Sequence, residues 1–151
     1  MQQISRDPPM DQRDFDLTSF LPYRMAVASD RLSAGLAALY RRDFGISVPE
    51  WRVLVHLHHA GDVSVRDIEA RVNMEKSKVS RAASRLESAG YLRKQAHSTD
   101  RRLLSLSLTS EGQALVARIL PLAQSYERRV AERLGAHLDG LNAALDRLLD
   151  D

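Results

Sequence analysis

The chain has 151 residues, 44% of them apolar, which suits one compact domain or a domain with an extension. No run of about 18 uncharged apolar residues marks a membrane span, no charged segment leads into an apolar signal stretch, and the lack of cysteine excludes disulfides, thiolate metal sites and cysteine redox switches; a cytoplasmic protein without membrane contact is expected. The net charge is +2, yet residues 61–102 hold ten Lys or Arg against six Asp or Glu, so a local site for a polyanion is expected rather than general stickiness.

Residues 1–16 carry Pro8, Pro9 and scattered charges without apolar pattern and read as a flexible arm. Asp16 to Phe44 reads as a long helix with Ser19 as a plausible cap, Pro22 in the first turn, and a stripe of Leu21, Met25, Ala28, Leu32, Leu36 and Leu39. Gly45 ends it. Ser47, with Pro49 in the first turn and Glu50 three residues on, is a capping box opening a helix through Trp51, Leu54, Val55 and Leu57 to about Gly61. Ser64 and Asp67 open a short helix that buries Val65, Ile68 and Val72.

From Asn73, a plausible cap, a further helix runs to Gly90. Val79, Ala82, Ala83 and Leu86 form one apolar stripe at helical spacing, while Ser77, Lys78, Ser80, Arg81, Ser84, Arg85 and Ser88 fall outside it. Lys76, Lys78, Arg81 and Arg85 are four cations with no anion among them, where an ordinary solvated face mixes signs. After Gly90 the period becomes two: a strand over Tyr91–His97, a polar turn His97–Arg102, then Leu104, Leu106 and Leu108 alternating with Ser105 and Ser107. Thr109 caps a long helix to about Leu134, which Pro121 should kink, and after Gly135 a last helix carries Leu138, Leu141, Leu145, Leu148 and Leu149.

A short helix, a turn and a second helix make a helix-turn-helix, whose second helix can lie in the DNA major groove. Ser77, Lys78, Ser80 and Arg81 occupy the half of it that reaches base edges; Lys and Arg suit guanine O6 and N7, and serine hydroxyls serve bases or phosphates. Arg85, one turn further, suits a phosphate. The bland alternative is a solvated amphipathic helix. The adjoining hairpin weighs against it, because Arg101 and Arg102 at its tip suit the negative potential of a narrow minor groove, with Asp100 as an internal brace for one of them. The helices at 17–44, 110–134 and 136–150 carry longer apolar stripes than one small domain can cover, which points to a symmetric homodimer.

Lys76-Ser77-Lys78-Val79-Ser80-Arg81, Leu86-Glu87-Ser88-Ala89-Gly90-Tyr91-Leu92, Asp100-Arg101-Arg102 and Leu108-Thr109-Ser110-Glu111-Gly112, in that order, resemble the MarR family of winged-helix regulators over roughly residues 17–150. The resemblance implies a mainly α fold with a small β-hairpin wing: six helices, the hairpin between the fourth and fifth. Residues 47–109 would form a winged helix-turn-helix DNA-binding domain, and 17–46 with 110–151 a helical dimerisation region. It implies an obligate homodimer on double-stranded DNA, with Ser77, Lys78, Ser80 and Arg81 in the major groove and Arg101 or Arg102 in the minor groove, braced by Asp100. The expected function is a transcriptional regulator, a repressor above all, on a pseudo-palindromic operator. Release by a small anionic or aromatic effector is also implied, and Tyr23, Arg24, Tyr40, Trp51 and His56 are candidates to line its crevice.

Other readings are weaker. His56, His58 and His59 share one helix and permit a metal-responsive regulator built on His56 and His59, though ordinary helix histidines explain them and no cofactor is expected. Trp51 and the tyrosines are singly more at home as core and interface residues. No phosphate loop, nucleophile elbow or paired apolar carboxylates support an enzyme. A winged helix used only for protein contacts would not need cations concentrated on one helix and one hairpin tip.

Overall fold

The computed structural model describes residues 11–72, 74–96 and 104–150. The chain forms two compact units, residues 1–35 and 36–151.

In the first unit, residues 1–10 of the expected arm lie outside the described residues. Two 3-10 turns follow, Gln12–Asp14 and Leu17–Ser19, each capped by an aspartate: Asp11 Oδ1 accepts from Arg13 N, and Asp16 Oδ1 accepts from Thr18 N and Thr18 Oγ1. The Arg13 side chain, then its backbone N–H, holds the Asp11 carboxyl below the usual aspartate range, and the Thr18 hydroxyl and backbone N–H do the same for Asp16. The sequence therefore misplaces the first helix. Asp16 spends its side chain on the 3-10 turn, and helix α1 starts only at Leu21, running Leu21–Phe44 with Pro22 in its first turn. Phe15 and Phe20 pack edge to face 5.2 Å apart.

In the second unit, the end of α1 is followed by α2 (Val48–Ala60), β1 (Val63–Ser64), α3 (Val65–Arg71), α4 (Lys76–Ser88), β2 (Leu92–Ala96), β3 (Leu104–Leu108), α5 (Ser110–Leu134), a 3-10 turn and α6 (Leu138–Leu149). Local chemistry fixes most boundaries. Ser47 Oγ accepts from Glu50 N at 3.3 Å, Ser64 Oγ from Asp67 N at 3.1 Å, and Thr109 Oγ1 from Gly112 N at 3.1 Å, each satisfying one orphan donor of a helix start. The box at Ser47 is only half made, because the Glu50 carboxylate goes elsewhere. The expected Asn73 cap lies outside the described residues; α4 starts at Lys76, and Glu75 is its cap residue through its backbone carbonyl, which accepts from Lys78 N and Val79 N.

Helix α4 ends on a glycine for a geometric reason. Gly90 has φ +85°, and Tyr91 N returns to Leu86 O at 2.9 Å, the closing bond of a left-handed helix stop. The core lies where α2, α3, α4, α5 and the sheet meet. Val53, Leu54, Leu57, Ile68, Val79, Leu86, Leu92, Leu106, Val116 and Ile119 are buried there. Each such aliphatic side chain contributes roughly 1.5–3 kcal/mol over leaving it in water.

The expected two-stranded ribbon is a three-stranded antiparallel sheet in the order β1-β3-β2. Val63 pairs with Leu106 and Ser64 with Ser105, while Leu92 to Ala96 run against Leu108 to Leu104. Strand β3 is thus central, with a neighbour on both edges at Ser105 and Leu106, and Ser105 and Ser107 are buried along with Leu106 although their alternation suggests one wet face. Helix α5 continues through Pro121 as one helix.

Candidate nucleic-acid interface

Helix α4 divides cleanly into two faces. Val79, Ala82, Ala83 and Leu86 are buried against the core, and the two alanines let its backbone sit close to its neighbours. Lys76, Ser77, Lys78, Ser80, Arg81 and Arg85 are all exposed. No acidic residue occupies the first turn and no side chain caps it; Glu75 at the cap position is the one carboxylate next to Lys76 in sequence. Among the described residues, the side chains of Lys76, Lys78 and Arg81 make no hydrogen bond or ion pair. Lys78, Arg81 and Arg85 follow one another at spacings of three and four, a single stripe along the helix.

Arg85 differs from the others. Its Nε donates to Glu50 Oε1 at 2.9 Å, across from the first turn of α2. A second set of contacts ties α4 to β2: Lys94 N donates to Glu87 Oε2 at 3.1 Å, and Lys94 Nζ to Ser84 Oγ at 3.3 Å. Arg93 Nε donates across the sheet to Ser107 Oγ at 3.3 Å. The base of the hairpin is fastened further by Thr109, whose N donates to Tyr91 O and whose Oγ1 donates to Gly90 O at 2.6 Å. Asp100, Arg101 and Arg102, expected at the wing tip from the sequence, lie outside the described residues.

The sequence marks none of Glu50, Glu87 and Lys94 as an interface residue. Nothing local marks them: Glu50 reads as a cap residue, and its partner is 35 positions away.

The other candidates fall in different places. Tyr23 and Arg24 are exposed on the first half of α1. Tyr40 is buried and stacked on Trp51, ring centroids 5.4 Å apart; burial raises its pKa, with the charges of Arg41 and Arg52 opposing. His56 lines a shallow open cleft of about 470 Å³ with Arg52, Val55, His59 and Val72, which neither Tyr40 nor Trp51 lines. Its Nε2 is buried without a partner among the described residues. His58 is exposed, and no three His, Asp or Glu come together to hold a metal among the described residues. Among the same residues, no helix is long and apolar enough to cross a membrane.

Burial, then the charges of Arg71 and His59, lowers the His56 pKa below the ordinary 6.5. The unfolded chain therefore takes up this proton at a higher pH than the folded chain does. Stability is undiminished above that ordinary value and falls as pH drops through it toward the lowered folded value. His56→Gln is expected to flatten the decline in melting temperature between about pH 7 and 5. Equal declines in the two proteins would show that His56 does not contribute.

Comparison with known proteins places this geometry. The MarR family model matches residues 44–103, from the end of α1 to the hairpin. The HTH-type transcriptional regulator TtmR of Methylorubrum extorquens is 29% identical over 148 residues, 98% of this chain and 71% of that one. The HTH-type transcriptional regulator YdgJ of Bacillus subtilis is 31% identical over 107 residues, 71% of this chain and 61% of that one. In structure, a MarR/EmrR family transcriptional regulator from Acinetobacter sp. ADP1 superposes with a TM-score of 0.78 at 28% identity, covering 89% of this chain and 95% of that one. A helix-turn-helix with its sheet, matched over residues 44–103 by the MarR family model and over most of the chain by transcriptional regulators, makes this chain similar to the MarR family of transcriptional regulators.

Proposed function

We propose that the chain binds double-stranded DNA sequence-specifically as a homodimer and represses transcription from a pseudo-palindromic operator. The observation that carries this reading is the face of α4: a continuous exposed stripe of one charge sign, backed by a fully buried apolar face. Such a helix presents Lys78 and Arg81 to base edges in the major groove, with Ser77, Ser80 and Lys76 beside them and Arg85 toward the phosphates. Arg101 or Arg102, braced by Asp100, completes the contact in the minor groove.

The dimer is supported by apolar surface left in water. Leu141, Leu148 and Leu149 on α6 are 37%, 62% and 76% exposed, and in the other unit Leu21 and Leu32 on α1 are 56% and 46% exposed. Residues 17–46 and 110–151 form the dimerisation region in this reading, and 47–109 the DNA-binding domain. Two-fold pairing sets the recognition helices about 34 Å apart, one turn of duplex.

Selection of bound fragments from random DNA is expected to return inverted repeats with half-sites about 10 base pairs apart, and the chain is expected to sediment as a dimer at micromolar concentration. Affinity should fall steeply with salt. Asymmetric selected sites, or a monomer in sedimentation, would contradict the dimeric operator. Binding with flat salt dependence would favour a protein-contact module instead.

Release by a small aromatic or anionic effector belongs to the same proposal. The cleft beside His56 supports it: two valines offer an apolar floor, and Arg52 with the histidines supplies cationic or donor nitrogens. An effector that prefers one arrangement of the dimer shifts the population away from the binding form. A panel of phenolic acids that changed neither DNA affinity nor melting temperature would remove the effector from the account.

A further inference from the structure

Glu50 sits in the first turn of α2, where its backbone N–H is held by the Ser47 hydroxyl. In a complete capping box its carboxylate would turn back to the Ser47 backbone. Here it crosses instead to α4 and takes Arg85 Nε at 2.9 Å. The Glu50 side chain is 14% exposed and that of Arg85 is 53% exposed, so a nearly buried acceptor grips one edge of a guanidinium whose remainder is in water. The two terminal nitrogens of Arg85 have no partner among the described residues. Arg85 also continues the stripe of Lys78 and Arg81 along α4.

We propose that Glu50 is a positioning residue for DNA binding: by holding Arg85 Nε it fixes the guanidinium so that its terminal nitrogens meet a phosphate of the duplex. This rests on the DNA-binding reading above. A free arginine must lose rotamer freedom when it binds, whereas a guanidinium already fixed in a planar fork loses less. A second view of the same pair gives the opposite sign. If Glu50 were only a negative charge near DNA, removing it would strengthen binding by relieving repulsion from the phosphates.

The experiment is duplex binding by fluorescence anisotropy across a salt series, using DNA selected by the wild-type chain, with melting temperature measured for every variant. Glu50→Ala is expected to weaken binding about tenfold, as a lost charge-assisted hydrogen bond does. It should also reduce the salt slope by about one for each half-site, the share of a single phosphate contact in each. Arg85→Ala should match it, and the double variant should be no weaker than Arg85→Ala alone. Glu50→Gln, which keeps an acceptor oxygen, should recover most of the loss.

Should Glu50→Ala fail to fold, Arg85→Lys separates the same alternatives. It keeps the charge but cannot be held at one nitrogen while offering two others, so positioning requires it to bind as weakly as Arg85→Ala. Glu50→Ala binding as tightly as wild type or tighter, Arg85→Lys binding like wild type, or additive losses in the double variant would overturn the inference. A wild-type chain with no salt-sensitive duplex affinity would overturn the DNA reading, and this inference with it.

Discussion

Replacing Gly112 with alanine is expected to destabilise the fold by about 3 kcal/mol, at the upper end of what overpacking costs. For a chain of this size that lowers the melting temperature by roughly 6–12 °C. Gly112 lies in the first turn of α5, where alanine would ordinarily improve a helix by up to about 1 kcal/mol. Here a Cβ would overlap the Tyr91 carbonyl oxygen and stand 2.9 Å from its carbonyl carbon. That carbonyl is not free to move. It accepts from Thr109 N at 3.1 Å, while Thr109 Oγ1 holds the adjacent Gly90 carbonyl at 2.6 Å. Any shift that admits the methyl group must also loosen the joint between the end of α4, β2 and the start of α5. Thr109→Ala provides a scale: losing the cap alone should cost about 1 kcal/mol. A Gly112→Ala protein melting within about 2 °C of wild type would mean that the joint yields easily.

How much of this was legible in the sequence depends on how far apart the interacting residues lie. The caps at Ser47, Ser64 and Thr109 bond to backbone three residues on, so short-range pattern found them. The two faces of α4 follow from helical period alone, and both appear as expected. Failures arise where a residue has two possible partners. Asp16 looked like the beginning of a helix but closes a 3-10 turn with Thr18. Glu50 looked like the second half of a capping box but crosses to Arg85. Strand β1 is two residues long and exists only because β3, more than 40 positions later, presents an edge to Val63 and Ser64. No local composition marks such a strand, and its pairing is what buries Ser105. The family resemblance and chemical type suggest the crevice residues, but neither says which side chains share one surface, and Tyr40 stacks on Trp51.

On the selected operator, Arg81→Ala is expected to lose about 1–3 kcal/mol, or roughly 5- to 150-fold in affinity. The size follows from geometry. Arg81 is exposed on the same stripe as Lys78, backed by buried Ala82 and Ala83, and no carboxylate among the described residues competes for it. It is therefore available to grip a guanine edge with two parallel hydrogen bonds, the arrangement that carries base discrimination. Base preference should relax at one position in each half-site, and by symmetry the same position in both. Arg85→Ala makes the contrast. As a phosphate contact, its loss should weaken all duplexes alike and lower the salt slope by about one for each half-site. The measurement is selection from random DNA repeated with each variant, alongside titrations over a salt series. Uniform weakening by Arg81→Ala, with the half-site sequence intact, would reassign Arg81 to the phosphates and leave specificity to the serines, Lys78 and the hairpin.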